Sequence, residues 1–268
     1  MLKGLNRSLN MTTEDIATIR DVSSVKEKVA PEEWRSRVDL AACYRLVRAN
    51  GWNMNIFNHA SVRVPGEPDY FFINAHTLLW DEVTASYLVK VNTNEELDEK
   101  SLVNRPGFVL HSAILRARED VNAIVHIHED ACVAISTTKE GFLPLTQDAV
   151  FLYGQVAYHE YTGITEDAEE REAIIDNLGN KTAMLMRNHG SVTVGKTTQD
   201  AYSRTRHLVK ASQIQLQLIV SGAESIIPSE KVCRHTLQQH MEHNSGRGLD
   251  DWPAALRELD RIDYTYRH

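Results

Sequence analysis

Cysteine is scarce in this chain: Cys43, Cys132 and Cys233 are the only three, and no two stand at Cys-x-x-Cys spacing. An odd, scattered set argues against a disulfide framework and against a thiolate zinc site. Long apolar runs are missing as well. No stretch approaches the ~18 apolar residues of a membrane span. The opening MLKGLNRSLNMTTED lacks the apolar segment of a secretory leader. Basic clusters are absent: 29 Lys and Arg stand against 37 Asp and Glu, for a net charge of -8. A protein that grips nucleic-acid phosphates needs a basic face, so the acidic balance reads as solubility. There is no glycine-rich phosphate or dinucleotide loop, no Gly/Pro/Ser linker and no internal repeat. These absences predict a cytoplasmic protein with reduced thiols that engages neither nucleic acid nor membrane.

What is present is an ordinary mixture for a sizeable core, with 42% hydrophobic residues over 268 positions. Residues 1 to about 30 are polar and without period, an expected arm (1-33) ahead of one domain (34-268). APEEWRSRVDLAACYRLVRANG reads as a helix, with Pro31 in its first turn and Gly51 at its end. HASVRV and YFFINA, split by PGEPD, read as a hairpin. DEVTASYLVKVN alternates into a strand, GFVLHSAILRARED is a helix, VNAIVHIH a strand, and EDACVAISTTKEG a helix ending at Gly141. EDAEEREAIIDNLGN is helical, with acids in its first turns. TAMLMRNHGSVTVG reads as two strands around Asn188-His189-Gly190. TTQDAYSRTRHLVKASQIQLQLIVSGA is the longest helix, with a Thr cap. The tail, about 226-268, is mixed and polar, with a helix at RHTLQQHMEHN.

The stretch VHIHED carries two histidines two apart. Alternate residues of a strand share a face, so His126 and His128 point the same way with Ile124, while Val121, Ala123, Val125 and Ile127 face the core. Alone, such a pair is compatible with a core, a surface or a metal role. His189, after an apolar strand and before a glycine that permits a tight turn, makes it a set of three imidazoles. Three neutral imidazoles with an open position suit catalytic zinc, and the same nitrogens accept Fe, Mn, Co or Ni.

Four blocks, NHASVRVPGEPDYFFINAHTLLWDEVTASYLVKV, GFVLHSAILRAREDVNAIVHIHEDACVAIS, GFLPLTQDAVFLYGQVAYHEYTGI and MRNHGSVTVGKTTQDA, resemble the class II aldolase/adducin family. They fall in the family's order over roughly residues 35 to 225, closer to its adducin-head branch and bacterial relatives than to its sugar-phosphate aldolases. The resemblance implies a three-layer α/β/α domain around a mainly antiparallel sheet. It also implies a homotetramer with sites between subunits, and one divalent metal ion per subunit held by His126, His128 and His189, zinc being the first choice.

The resemblance also exposes two departures. Aldolases of the family place a catalytic carboxylate nineteen residues before the first metal histidine, and here that position is Gly107. Their phosphate cradle of small residues is matched by Asn58-His59, His76-Thr77 and Arg105-Pro106. A phosphate wants several backbone N–H donors; Pro106 has none and His76 is bulky. Asn58, His59, His76 and Arg105 are therefore expected to meet a small non-phosphorylated substrate.

Glu129, His111, His159 and Tyr264 are the candidates for moving protons in place of the missing acid. Glu129 and Asp130 also suit the start of a helix, and His111 a packing role. Tyr158, His159 and Tyr161 have the period of an exposed strand, and Tyr264 and Tyr266 stand in a tail of the kind that closes a neighbour's site in the family. His207, His235, His240 and His243 have no evident partner, and Trp52 and Trp80 read as packing residues. The expected function is a metal-dependent lyase, cleaving a carbon–carbon bond or decarboxylating a small oxygenated acid or carbonyl compound through a metal-stabilised enolate. The alternatives are a non-catalytic adducin-like interaction module and a non-haem iron oxygenase on the same ligands.

Overall fold

A computed structural model describes residues 23-98, 101-163, 168-247 and 251-268. Residues 1-22 of the expected arm lie outside the described residues.

Seven strands form one sheet: β1 (His59–Val64), β2 (Glu67–Ile73), β3 (Val89–Asn92), β4 (Ala123–Ile127), β5 (Val156–His159), β6 (Ala183–Met186) and β7 (Gly190–Gly195). Their order is β3-β2-β1-β4-β7-β6-β5. Only β5 and β6 pair in parallel, and the other five pairings are antiparallel. Among the described residues the α-helices are α1 (Pro31–Ala49), α2 (Arg105–Ala117), α3 (Asp130–Ser136), α4 (Gln147–Val150), α5 (Ala168–Leu178), α6 (Thr198–Ser221), α7 (Glu230–Arg247) and α8 (Asp251–Ile262). Residues of α1, α3, α6 and α8 share a core with Ala123, Val125 and Ile127 on one face of the sheet. Those of α2 and α5 share a second core with Ile124, Met184, Val192 and Val194 on the other. The architecture is the expected α/β/α sandwich.

The second core qualifies the reading of β4. Its His126 face is not a solvent face: all five residues of β4 are buried, because α2 and α5 cover that side. The ends of α6 follow the sequence closely. Thr197 and Asp200 form a reciprocal capping box, and Gly222 closes the helix in the left-handed conformation at φ 65°.

Three elements differ from expectation, each through a tertiary partner. The run 81-92 is a strand only from Val89. Before it, the N–H groups of Ala85 and Ser86 donate to the carbonyls of Tyr266 and His268, so the tail takes the place of a neighbouring strand. The helix begun at Asp130 stops at Ser136 rather than at Gly141. There the hydroxyls of Thr137 and Thr138 turn back on Ala134 and Ile135, and Arg187 takes the carbonyls of Ser136 and Thr138 at 2.8 and 2.7 Å. The tail contains a second helix, α8, which packs on α1 through buried Trp252 and Leu259. Its apolar residues Trp252, Ala255, Leu256, Leu259 and Ile262 recur at helical spacing, a signal that the mixed, polar composition of the tail as a whole masked.

Candidate metal centre

β4 carries His126, the residue just past its end is His128, and the turn of the β6–β7 hairpin brings His189 to them. Asn188, at φ 58°, makes the left-handed step of that turn, and His189 N–H donates to the Met186 carbonyl at 3.1 Å. The three imidazoles stand edge to face in every pairing, with centroids 4.6 to 5.0 Å apart. One nitrogen from each lies within 4.8 Å of the others. His126 is buried while His128 and His189 are half-buried, so the cluster has an open side.

The donor chemistry fits a divalent ion. His126 Nδ1 gives its proton to the Ser191 carbonyl at 3.1 Å. That fixes the tautomer, as the outer partners of metal-bound histidines do, and leaves Nε2 to accept an ion. His126 Nε2 meets His128 Nε2 at 2.8 Å, close to the roughly 3.3 Å spacing of two nitrogens on a tetrahedral ion with ~2.0–2.1 Å bonds. Burial, then the other imidazoles, pushes His126 well below the usual histidine range. His128 falls to about 4, from burial first and His189 second. Neutral imidazole is the form that binds metal.

Gly190 makes the cluster sterically feasible. A Cβ there would stand 2.6 Å from the Ile127 carbonyl oxygen and 2.7 Å from His128 Cδ2.

Behind the three histidines lies a buried hydrogen-bonded chain that the sequence reading did not assemble. His59 pairs with His126 across β1 and β4 and stacks on it at 4.8 Å. His59 Nδ1 meets His111 Nε2 at 2.8 Å, and His111 Nδ1 meets the Ser61 hydroxyl. Ser61 was missed, although it follows His59 at the same strand alternation that linked His126 to His128. This arrangement explains Gly107: a Cβ at that position would stand 2.8 Å from His59 Cδ2. The His59 ring occupies the space into which a residue 107 side chain would project.

Burial lowers His111 to about 3. Its folded value lies below the ordinary 6.5, so the neutral form belongs to the fold. The stability it contributes is complete above pH 6.5 and drains away as pH falls towards 3. The slope is about 1.4 kcal/mol per pH unit. Urea unfolding of metal-free protein at pH 7.5 and 5.0 should show this loss, and an NMR titration should find the His111 ring neutral at pH 5. A ring that titrates near 6.5 would contradict it.

The other candidates divide. Asn58 and His76 each leave a buried polar atom without a partner, Nδ2 and Nδ1 respectively. The charge of His76 reaches His59. Glu129 is committed elsewhere: it caps α3 through Cys132 N–H at 2.9 Å and accepts Gln213 Nε2 at 2.9 Å. Arg105 is exposed and lines a separate cleft of 240 Å³ with Arg116 and Arg171, away from the imidazoles. Tyr264 is exposed against His268, while Tyr266 is buried with its hydroxyl on Asp260 at 2.8 Å. Neither joins the histidines within the chain.

The expected exposed strand at 156-159 is corrected. Ala157 and His159 of β5 are buried under α5, Tyr158 is half-buried, and Tyr161 beyond the strand is exposed. His207 and His240 also have partners after all. His207 meets Asp148 at 2.7 Å, and His240 stacks on Phe151 at 3.9 Å.

Comparison with known proteins gives the family. Residues 38–216 match the model of the class II aldolase and adducin N-terminal domain. A Caulobacter vibrioides protein named for class 2 aldolases is 40% identical over 246 residues, covering 91% of this chain and 96% of its own length. Alpha-adducin of Rattus norvegicus is 42% identical over 288 residues, covering 100% of this chain but 39% of its own length. The crystal structure of an aldolase II superfamily protein from Pseudomonas syringae superposes with a TM-score of 0.83 at 40% identity, covering 92% of this chain and 100% of that one.

Proposed function

The chain belongs to the class II aldolase and adducin family, and from that premise we propose that it is a divalent-metal-dependent lyase acting on a small, non-phosphorylated oxygenated acid or carbonyl compound. His126, His128 and His189 would hold the ion. Bound there, the ion would supply Lewis-acid polarisation of a carbonyl, which both carbon–carbon cleavage and decarboxylation require. The observation that carries the reading is the convergence of three neutral imidazoles on one open side. Asn58, next to His59 in the chain, and His76, within electrostatic reach of His59, leave the buried Nδ2 and Nδ1 orphaned. A buried polar atom without a partner costs about 1–3 kcal/mol, and substrate oxygens would offset that cost. A phosphate finds less here, with Pro106 lacking an N–H and Arg105 turned to another cleft.

We further propose zinc as the ion, a homotetramer as the working assembly and the cytoplasm as its location. No helix among the described residues is long and apolar enough to cross a membrane. The competing reading is an interaction module of the adducin kind, favoured by the similarity to alpha-adducin over the whole chain. The two separate on one assay. Metal-loaded protein is incubated with a panel of 3-hydroxy-2-oxo acids, hydroxyketones and their phosphorylated counterparts, and cleavage products are followed by NMR. Chelator-sensitive cleavage of non-phosphorylated members is expected. Turnover confined to phosphorylated members would contradict the substrate reading, and no turnover by fully loaded protein would favour the interaction module.

A further inference from the structure

Gly107 leaves the site without the carboxylate expected there, yet a second carboxylate stands close by. Ile127 pairs with Ser191, so His128 lies opposite Gly190; Gly190 pairs with Met186, and Met186 with His159. These residues form one row across four strands, and residues on one row share a face of the sheet. β4, β6 and β5 run in the same direction, so His128 and His159 also stand at the same edge. His189 occupies the turn between Met186 and Gly190. Three strand spacings of about 4.8 Å put the Cα atoms of His128 and His159 roughly 14 Å apart.

His159 is 3% exposed. Asn177 Nδ2 donates to its Nδ1 at 3.0 Å, which places the ring proton on Nε2. That Nε2–H is buried and has no hydrogen-bond partner. It stands 3.8 Å from Glu170 Oε1, which also accepts from the Thr162 hydroxyl at 3.4 Å; the gap is too long for a direct hydrogen bond and short enough for both groups to reach one substrate oxygen. Glu170 is itself nearly buried, its side chain 10% exposed, on α5. Glu170 and His159 both lie within electrostatic reach of His189. An acid in the first turn of a helix also serves the helix dipole. That role needs neither burial nor a neighbouring imidazole with an unused N–H.

We propose that Glu170 is the proton acceptor that stands in for the carboxylate missing at Gly107, with His159 as its positioning residue. This rests on the lyase reading above. In carbon–carbon cleavage, the Glu170 carboxylate takes the proton of the substrate hydroxyl while His159 Nε2–H donates to the same oxygen. The O–H pair becomes the new carbonyl of one fragment, and the broken carbon–carbon pair passes to the carbonyl side of the other. Glu170 then returns the proton to that carbon, so no co-reactant is consumed.

By microscopic reversibility, Glu170 removes an α-proton from a ketone product. The test is deuterium incorporation into hydroxyacetone and pyruvate in D₂O by NMR, with zinc-loaded wild type and Glu170→Gln, alongside metal content. Imidazole ¹⁵N spectra of metal-free protein supply a readout independent of turnover. The expected result is exchange by wild type, a loss of about 100-fold or more in Glu170→Gln, unchanged metal content and a shifted His159 Nε2–H resonance. Exchange unchanged in Glu170→Gln overturns the inference and leaves the lyase reading standing. Zinc-loaded wild type that exchanges neither ketone overturns both. Should Glu170→Gln lose its fold or metal, His159→Gln is read instead: a similar fall in exchange supports the pair, and wild-type exchange overturns it.

Discussion

Gly190→Ala is expected to weaken metal binding about 10- to 100-fold and to cost about 1–3 kcal/mol in the metal-free protein. The added methyl would stand 2.6 Å from a backbone oxygen of β4, a contact that real Cβ atoms do not make, and 2.7 Å from the His128 ring. The β4 backbone cannot yield without disturbing its pairings with β1 and β7, so the hairpin carrying His189 must move away. That displacement separates His189 from the other two imidazoles. Chelator competition measures the affinity and urea unfolding the stability. Unchanged metal affinity would mean that the hairpin does not set the ligand geometry.

Gly107→Glu is expected to destabilise the protein, not to restore a carboxylate to the site. Its Cβ would meet the His59 ring at 2.8 Å, with further contacts at 3.0 and 3.1 Å. His59 is held by His111, which is held by Ser61, so the ring has nowhere to turn. The cleaner form of the experiment is a double-mutant cycle of Gly107→Ala with His59→Ala. Gly107→Ala alone should cost about 1–3 kcal/mol by overpacking, and in the His59→Ala background that cost should largely vanish. The coupling, about 1–2 kcal/mol, is of the size seen between residues in contact. Additive effects would contradict the idea that the His59 imidazole fills the space beside residue 107.

Much of the site was readable because its chemistry follows backbone periodicity. His126 and His128 are linked by strand alternation, and His189 is marked by a glycine in a turn between two apolar strands. What escaped depends on contacts between distant segments. The sequence offered His59, His111 and Ser61 as separate residues, and only the β1–β4 register and the packing of α2 join them. Glu129 looked available as a proton carrier until α3 and Gln213 claimed both of its oxygens. His159 looked exposed because its strand alternates, yet α5 buries it. The fold shows the same division. The long helix α6 carries its own start and stop signals, whereas the shortened β3, the early end of α3 and the helix α8 are set by the tail, by Arg187 and by α1.

The central claim is that three histidines form a metal centre. Elemental analysis of the protein purified without added metal, on wild type and on His189→Ala, tests it most directly. The account predicts about one divalent ion per subunit in wild type and its loss in the variant. No ion in either protein, even after reconstitution, would contradict it and leave the adducin-like interaction module as the better reading.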